Sequence, residues 1–314
     1  MWAGGPAAAP AQPMSTPKIT PTAALLLTLA PVLWAGNAVL GRVVSGMVSP
    51  MTLNALRWLV ALIILLPMAS WVLRRDSPLW RNWRRIAALA VLSVGTYNAL
   101  LYLALHTSTA INVTLVASIT PVWMLLIGRI FFAQAISKRQ WAGAAMSIIG
   151  VMVVLSRGQW AVLASIQLVP GDLYVLIAAA AWAYYSWMLA HPTTEPASIR
   201  YNWSAFLVAQ ITLGMTWSIA LAGGEWALGL GHLEVNWTVA LIILYVAVGP
   251  AILAYRAWGA GVARAGPSVA GFFTNLTPLF TALLSSLFLG EPPHFYHAVA
   301  FVLIAGGILV SSHR

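Results

Sequence analysis

Ser118-Ile119-Thr120-Pro121-Val122-Trp123 lies in the middle of an apolar run, and the pattern returns 157 residues later as Asn275-Leu276-Thr277-Pro278-Leu279-Phe280. The same shift places Leu126 on Leu283, Phe131 on Phe288, Gln134 on Glu291, Gly150 on Gly307 and Val153 on Val310. Few letters are identical, but the order of features repeats: apolar span, central Thr-Pro, short polar loop, second apolar span, late glycine. A proline inside a helix removes one backbone hydrogen bond and crowds the preceding turn, so each run is expected to kink near its middle. A threonine beside it can offer its hydroxyl to the freed backbone, which is how membrane helices tolerate such interruptions. Static packing would explain either proline alone. Recurrence at one register points instead to two related halves that move about Pro121 and Pro278 as hinges.

Composition sets the medium. The 314 residues are 61% hydrophobic and 7% charged, against about 25% charged in soluble domains. Such a chain cannot cover a water-facing surface, and its first partner is the lipid bilayer. The absence of cysteine excludes disulfides, thiol catalysis and thiolate metal sites. A net charge of +10 would point to nucleic acid in a soluble protein. Here the placement of the charges explains it better, and no nucleic-acid partner is expected.

Residues 1–17 are rich in Pro, Ala and Gly, without the basic and apolar regions of a signal peptide, and read as a disordered tail. Ten apolar spans follow, at about 22–41, 51–73, 86–105, 110–132, 140–156, 172–190, 203–222, 237–260, 267–289 and 297–312. Most reach the roughly 20 residues that a bilayer crossing requires. With the N-terminus placed in the cytoplasm, twelve of the sixteen basic residues fall on the inner side, Arg42 and Arg157 fall outside, and Arg57 and Arg256 lie within spans. That bias puts both termini in the cytoplasm. Five spans per half then turn the second half upside down. The expected fold is an all-α integral membrane protein of ten transmembrane helices in two inverted five-helix repeats, 18–157 and 158–314. The first spans of the halves echo too: 148 residues separate Trp34 from Trp182 and Asn37 from Tyr185.

The six acidic residues, Asp76, Asp172, Glu195, Glu225, Glu234 and Glu291, all lie in loops or at span edges. Intramembrane carboxylates are the usual proton carriers and cation ligands, so a carboxylate-based antiporter, a cation site and an acidic metal cluster are not expected. Neither are an enzyme activity or a cofactor. Glu291, His294 and His297 have metal-like spacing, but Pro292 and Pro293 interrupt them in an outer loop, and no metal is expected there.

The spans offer aromatic and neutral polar groups instead. Asn98 and Tyr102 are four apart in span three, beside Tyr97; Asn112, Val116, Thr120 and Trp123 follow one another in span four; Tyr255 and Trp258 are three apart in span eight. Thr274, Thr277, Thr281 and Ser285 form a hydroxyl stripe in span nine, with Asn275 beside it. One such stripe is explained by helix–helix hydrogen bonding. Several together point to a central cavity with π faces and little fixed charge, suited to neutral or zwitterionic solutes. Arg57 and Arg256 each have two readings: holding a substrate carboxylate or phosphate, or snorkelling to an interface. Gly143 and Ser147, four apart, permit close helix contact and allow either a monomer or a homodimer.

Leu33-Trp34-Ala35-Gly36-Asn37, Thr120-Pro121, Thr277-Pro278 and Leu289-Gly290-Glu291 together resemble the EamA type of the drug/metabolite transporter superfamily over about residues 20–312. The counterpart Phe132-Ala133-Gln134 departs from the pattern. Within the superfamily the chain is similar to YddG-type aromatic amino-acid exporters of the bacterial inner membrane. That resemblance implies export of aromatic and other apolar or neutral amino acids, with spans one, three, four, six, eight and nine lining the path. The expected walls are Trp34, Tyr97, Tyr102, Trp123, Trp182, Tyr185 and Trp258, with Asn37, Asn98, Asn275 and Thr277 supplying hydrogen bonds. With no clear proton relay, facilitated alternating access is the simplest energetics. The rival readings are a sugar-phosphate or nucleotide-sugar transporter relying on both arginines, amphiphilic drug efflux, and a membrane scaffold or receptor.

Overall fold

The computed structural model describes residues 19–44, 46–107, 110–167, 169–289 and 294–312. The tail 1–17 and Glu291 lie outside the described residues, as do the side chains of Asn98, Tyr102, His106, Asn112 and Ser285. In chain order the helices are α1 (Pro21–Val43), α2 (Pro50–Ala69), short α3 (Pro78–Arg81), α4 (Trp83–Ala90), α5 (Asn98–Thr107), α6 (Ala110–Ala117), α7 (Thr120–Phe131), α8 (Lys138–Leu155), short α9 (Trp160–Ala164), α10 (Pro170–Ala190), short α11 (Ala197–Arg200), α12 (Trp203–Ala227), α13 (Trp237–Val246), α14 (Ala254–Ala265), α15 (Pro267–Phe273), α16 (Leu276–Leu289) and α17 (Phe295–Ser312). Among the described residues there is no strand beyond a lone antiparallel bridge between Val48 and Leu233. Among the described residues, seven helical stretches are long and apolar enough to cross a membrane by length and composition, Val113–Phe131 of α6 and α7 among them. The other three expected spans are also helical, as α4–α5, α8 and α15–α16.

Local chemistry fixes where these helices begin. Proline opens α2, α7, α10 and α15, where its missing N–H removes nothing a helix would use. Ser137 and Gln140 form a reciprocal capping box at α8, and Asn202 and Asn236 cap α12 and α13 through their side chains.

The expected Thr-Pro kinks take a different form. Spans four and nine are each interrupted by a two-residue turn: α6 ends at Ala117 and α7 starts at Thr120, while α15 ends at Phe273 and α16 starts at Leu276. Each proline therefore sits in the first turn after its break. Pro121 cannot donate to the carbonyl of Ala117, and Thr120 Oγ1 donates to it instead at 2.6 Å. At Pro278 the carbonyl left free is that of Thr274, and the Thr277 N–H takes it at 3.0 Å. Two further irregularities were not legible in advance. Wide π-type turns at Val91–Tyr97 and Ala247–Leu253 interrupt spans three and eight. They match one another in position, as the Thr-Pro breaks do.

Equivalent residues of the two halves meet. Trp34 and Trp182 are in edge contact at 5.3 Å. Asn275 Nδ2 donates to the Ser118 carbonyl at 3.1 Å, across a separation of 157 residues. At the crossing of α8 and α17, Gly143 faces Gly307 while Gly150 faces Ala300 and Ile304. Under the 157-residue shift, 143 maps to 300 and 150 to 307, so each contact is the exchanged copy of the other. That self-complementary pattern is what two copies of one unit produce about a twofold axis.

Candidate functional site

A cavity of about 1130 Å³ lies where the four interrupted spans converge. Trp34 and Asn37 of α1, Tyr97 of the first π-type turn, Thr120 of α7, Trp182 of α10, Pro250 of the second π-type turn and Asn275 and Thr277 at the break of span nine all line it. The interruptions explain why polar atoms are available there. Regular helices spend every backbone group on themselves, whereas broken ones leave carbonyls for other donors. The carbonyl of Pro250 accepts from Trp34 Nε1 at 3.4 Å, and that of Ser93 accepts from Tyr255 Oη at 3.4 Å.

One end of the cavity is open and the other shut. Exposed Arg157, Gln159 and Phe295 line the open end. The floor is aromatic, with Trp182 at its centre: its ring lies 5.3 Å from Tyr97, 5.7 Å from Tyr255 and 5.6 Å from Trp258. Trp258 is fully buried behind this floor, and its Nε1 donates to Ser186 Oγ at 3.1 Å. Toward the shut end, Trp187 stacks on Phe132 at 5.0 Å and donates to the Met124 carbonyl at 2.7 Å. Gly128 lies against the Trp187 ring and leaves it room. Arg85 then seals that end. It pairs with Glu195 at 2.9 Å and donates to the carbonyls of Met188 and His191.

At the open end a different fastening joins the same kinds of segment. The Glu225 carboxylate accepts from Ser49 Oγ, from the Met51 and Thr52 N–H groups and from Thr52 Oγ1, at 2.6 to 3.1 Å. It thus sits on the positive N-terminus of α2.

Of the residues expected in the wall, Trp34, Asn37, Tyr97, Trp182, Asn275 and Thr277 line the cavity, as does Pro278. Tyr185 and Trp258 pack against Trp182 but are not part of the lining. Trp123 is outside the lining too, and its buried Nε1 has no hydrogen-bond partner among the described residues. No group of three His, Asp or Glu side chains able to hold a metal occurs among the described residues. The two arginines separate. Arg256 is exposed and stacks on the Trp203 ring at 4.4 Å, as an interfacial arginine does. Arg57 is 4% exposed and lines the cavity. Sequence reasoning left it out of the wall because its place near the end of span two looked interfacial.

The sequence model of the EamA-like transporter family matches residues 21–156 and again 169–313. An uncharacterized transporter of Archaeoglobus fulgidus is 24% identical over 292 residues, covering 92% of this chain and 97% of its own length. The aromatic amino acid exporter YddG of Ancylobacter novellus is 24% identical over 241 residues, 77% of this chain and 78% of its own. A solved crystal structure superposes with a TM-score of 0.72 over 92% of this chain and 96% of that one. At 22% identity that likeness shows the fold alone.

Proposed function

The chain belongs to the EamA-like transporter family, and from that premise we propose that it exports aromatic and other apolar or neutral amino acids by facilitated alternating access. The observation that carries the reading is the cavity. It combines an aromatic floor with amide and hydroxyl groups, and no acidic side chain is among the described residues lining it. Apolar side chains find π faces at Trp34, Tyr97 and Trp182, while Asn37, Asn275 and Thr277 offer hydrogen bonds to the polar end. Without a membrane carboxylate to carry protons, the substrate's own gradient drives the flux. The exporter named among the relatives supports this substrate class.

In this reading the shut end, with Arg85 and Arg200, faces the cytoplasm of a bacterial cell and the open end faces outward across the inner membrane. The breaks before Pro121 and Pro278 and the two π-type turns are where the halves bend. A sugar-phosphate or nucleotide-sugar reading that relies on Arg57 and Arg256 is not supported, because Arg256 lies outside the cavity on Trp203; the second arginine of the lining is Arg157, at its exposed end.

The test is efflux from proteoliposomes preloaded with labelled phenylalanine, tryptophan or threonine, with and without a pH gradient. Gradient-independent efflux that is lost in Trp182→Ala supports the proposal. Efflux that requires the gradient replaces facilitated diffusion with proton coupling, and no efflux of any amino acid removes the substrate class.

A further inference from the structure

Arg57 is a buried cation with no ion-pair partner among the described residues. It lies on α2, two turns inside the membrane end of that helix, and its guanidinium carbon sits 4.9 Å from the Trp58 ring centroid. That cation–π contact satisfies none of the N–H donors as a hydrogen bond would. The Arg57 Nε is buried and has no hydrogen-bond partner among the described residues. Glu225, the carboxylate that reaches α2, is saturated by Ser49, Met51 and Thr52. Asn54, one turn before Arg57, donates through Nδ2 to Ser218, and its Oδ1, like Arg57 Nε, is buried without a partner among the described residues.

A guanidinium taken out of water without a counter-ion is costly, because the lost hydration is not replaced. Here one side of it is the cavity. We propose that Arg57 is the anchor for the carboxylate of the transported solute. The inference rests on the amino-acid reading and deepens it by naming the group that selects the acid end. The planar fork of arginine matches the two oxygens of a carboxylate. The geometry places the rest of the solute. Trp58 leads to Tyr255 at 5.2 Å, and Tyr255 to Trp182 at 5.7 Å, so a carboxylate on Arg57 directs an apolar side chain toward the aromatic floor.

The experiment measures binding to the purified full-length protein in detergent by thermal shift and tryptophan fluorescence, alongside phenylalanine efflux. The probes are 3-phenylpropionate, which has the carboxylate alone, and phenethylamine, which has the ammonium alone. Loss of a charge-assisted contact should weaken 3-phenylpropionate by about tenfold or more in Arg57→Gln, with phenethylamine unchanged. Arg57→Lys keeps the charge but loses the fork, and should fall between the two. It also serves as the informative variant if Arg57→Gln does not fold. A 3-phenylpropionate affinity equal in the wild type and both variants, or no binding to the wild type at all, overturns the anchor. Phenylalanine efflux with no dependence on Arg57 sinks the anchor and leaves the proposed function standing. Arg57-dependent carboxylate binding without any amino-acid efflux does the reverse.

Discussion

The Thr120 hydroxyl does one identifiable job: it occupies the Ala117 carbonyl that Pro121 cannot reach. Thr120→Val keeps the shape and removes the donor, leaving a carbonyl unpaired at the break. The expected loss is about 1–2 kcal/mol, read as a lower melting temperature in detergent, and Thr120→Ser should restore it. A Val variant as stable as the parent would mean that water or a backbone donor takes over that carbonyl. At this scale the sequence was partly readable. The Thr-Pro pair announced a hydroxyl serving a freed carbonyl, but at Pro278 a backbone N–H does the same work. Trp34, Asn37, Tyr97, Trp182, Asn275 and Thr277 were legible as a set because they stand on polar or aromatic helix faces. Trp123 looked equivalent to them, but its indole packs against the core outside the cavity lining. Arg57 was ambiguous because its sequence position fits either an interface or a cavity, and only the fold distinguishes them.

Elements meet here through glycine. A Cβ added at Gly143 would lie 2.6 Å from the Gly307 carbonyl oxygen, and one at Gly150 would lie 2.7 Å from Ile304 Cγ1. Gly143→Val should therefore push α8 from α17 and cost about 1–3 kcal/mol by overpacking. Gly259 has nothing within 4 Å of the same added atom, so Gly259→Ala is the neutral control. Equal melting of the two variants would sink the idea that this crossing is tight. The repeated glycine at 150 and 307 was visible in the sequence, whereas the matched π-type turns were not. Pro250 marks one of them, but its partner segment contains only Gly95 as a hint, and no hydrophobic period distinguishes a π-type turn from an α-helix. Gly95 has a packing reason as well, since a Cβ there would lie 2.8 Å from Trp217 Cδ1.

For the whole molecule, the question is what keeps one end shut. Burial raises the Glu195 pKa, but hydrogen bonds from the Thr193 N–H, from its own N–H and from Arg85 outweigh that and hold it below its ordinary 4.5. A depressed carboxylate contributes its stabilisation above the ordinary value and loses it as pH falls through the folded one. The seal is therefore expected to be constant from neutral pH down to about 5 and to weaken only in stronger acid. Glu195→Gln should reproduce that weakening at neutral pH. Because the chain has no cysteine, a single Met188→Cys substitution, at a buried position whose backbone carbonyl still accepts from Arg85, can report the change directly. Its labelling by a water-soluble maleimide should rise in Glu195→Gln and stay flat between pH 6 and 8. Unchanged labelling would show that the Trp187–Phe132 stack alone closes the end.

The crossing of α8 and α17 has a consequence for chain connectivity. A surface built from exchanged contacts already fits its own counterpart, so the stretch between Leu155 and Pro170 does not have to align anything. It acts as a tether that sets the local concentration of one half around the other. Tethers are forgiving in polymer terms: doubling the length of a flexible connection costs only about 0.6 kcal/mol of closure entropy. A Gly/Ser insert between Ser165 and Ile166 that doubles this stretch should leave melting temperature and efflux close to those of the parent. Two separately expressed halves should, by the same reasoning, find each other in the membrane.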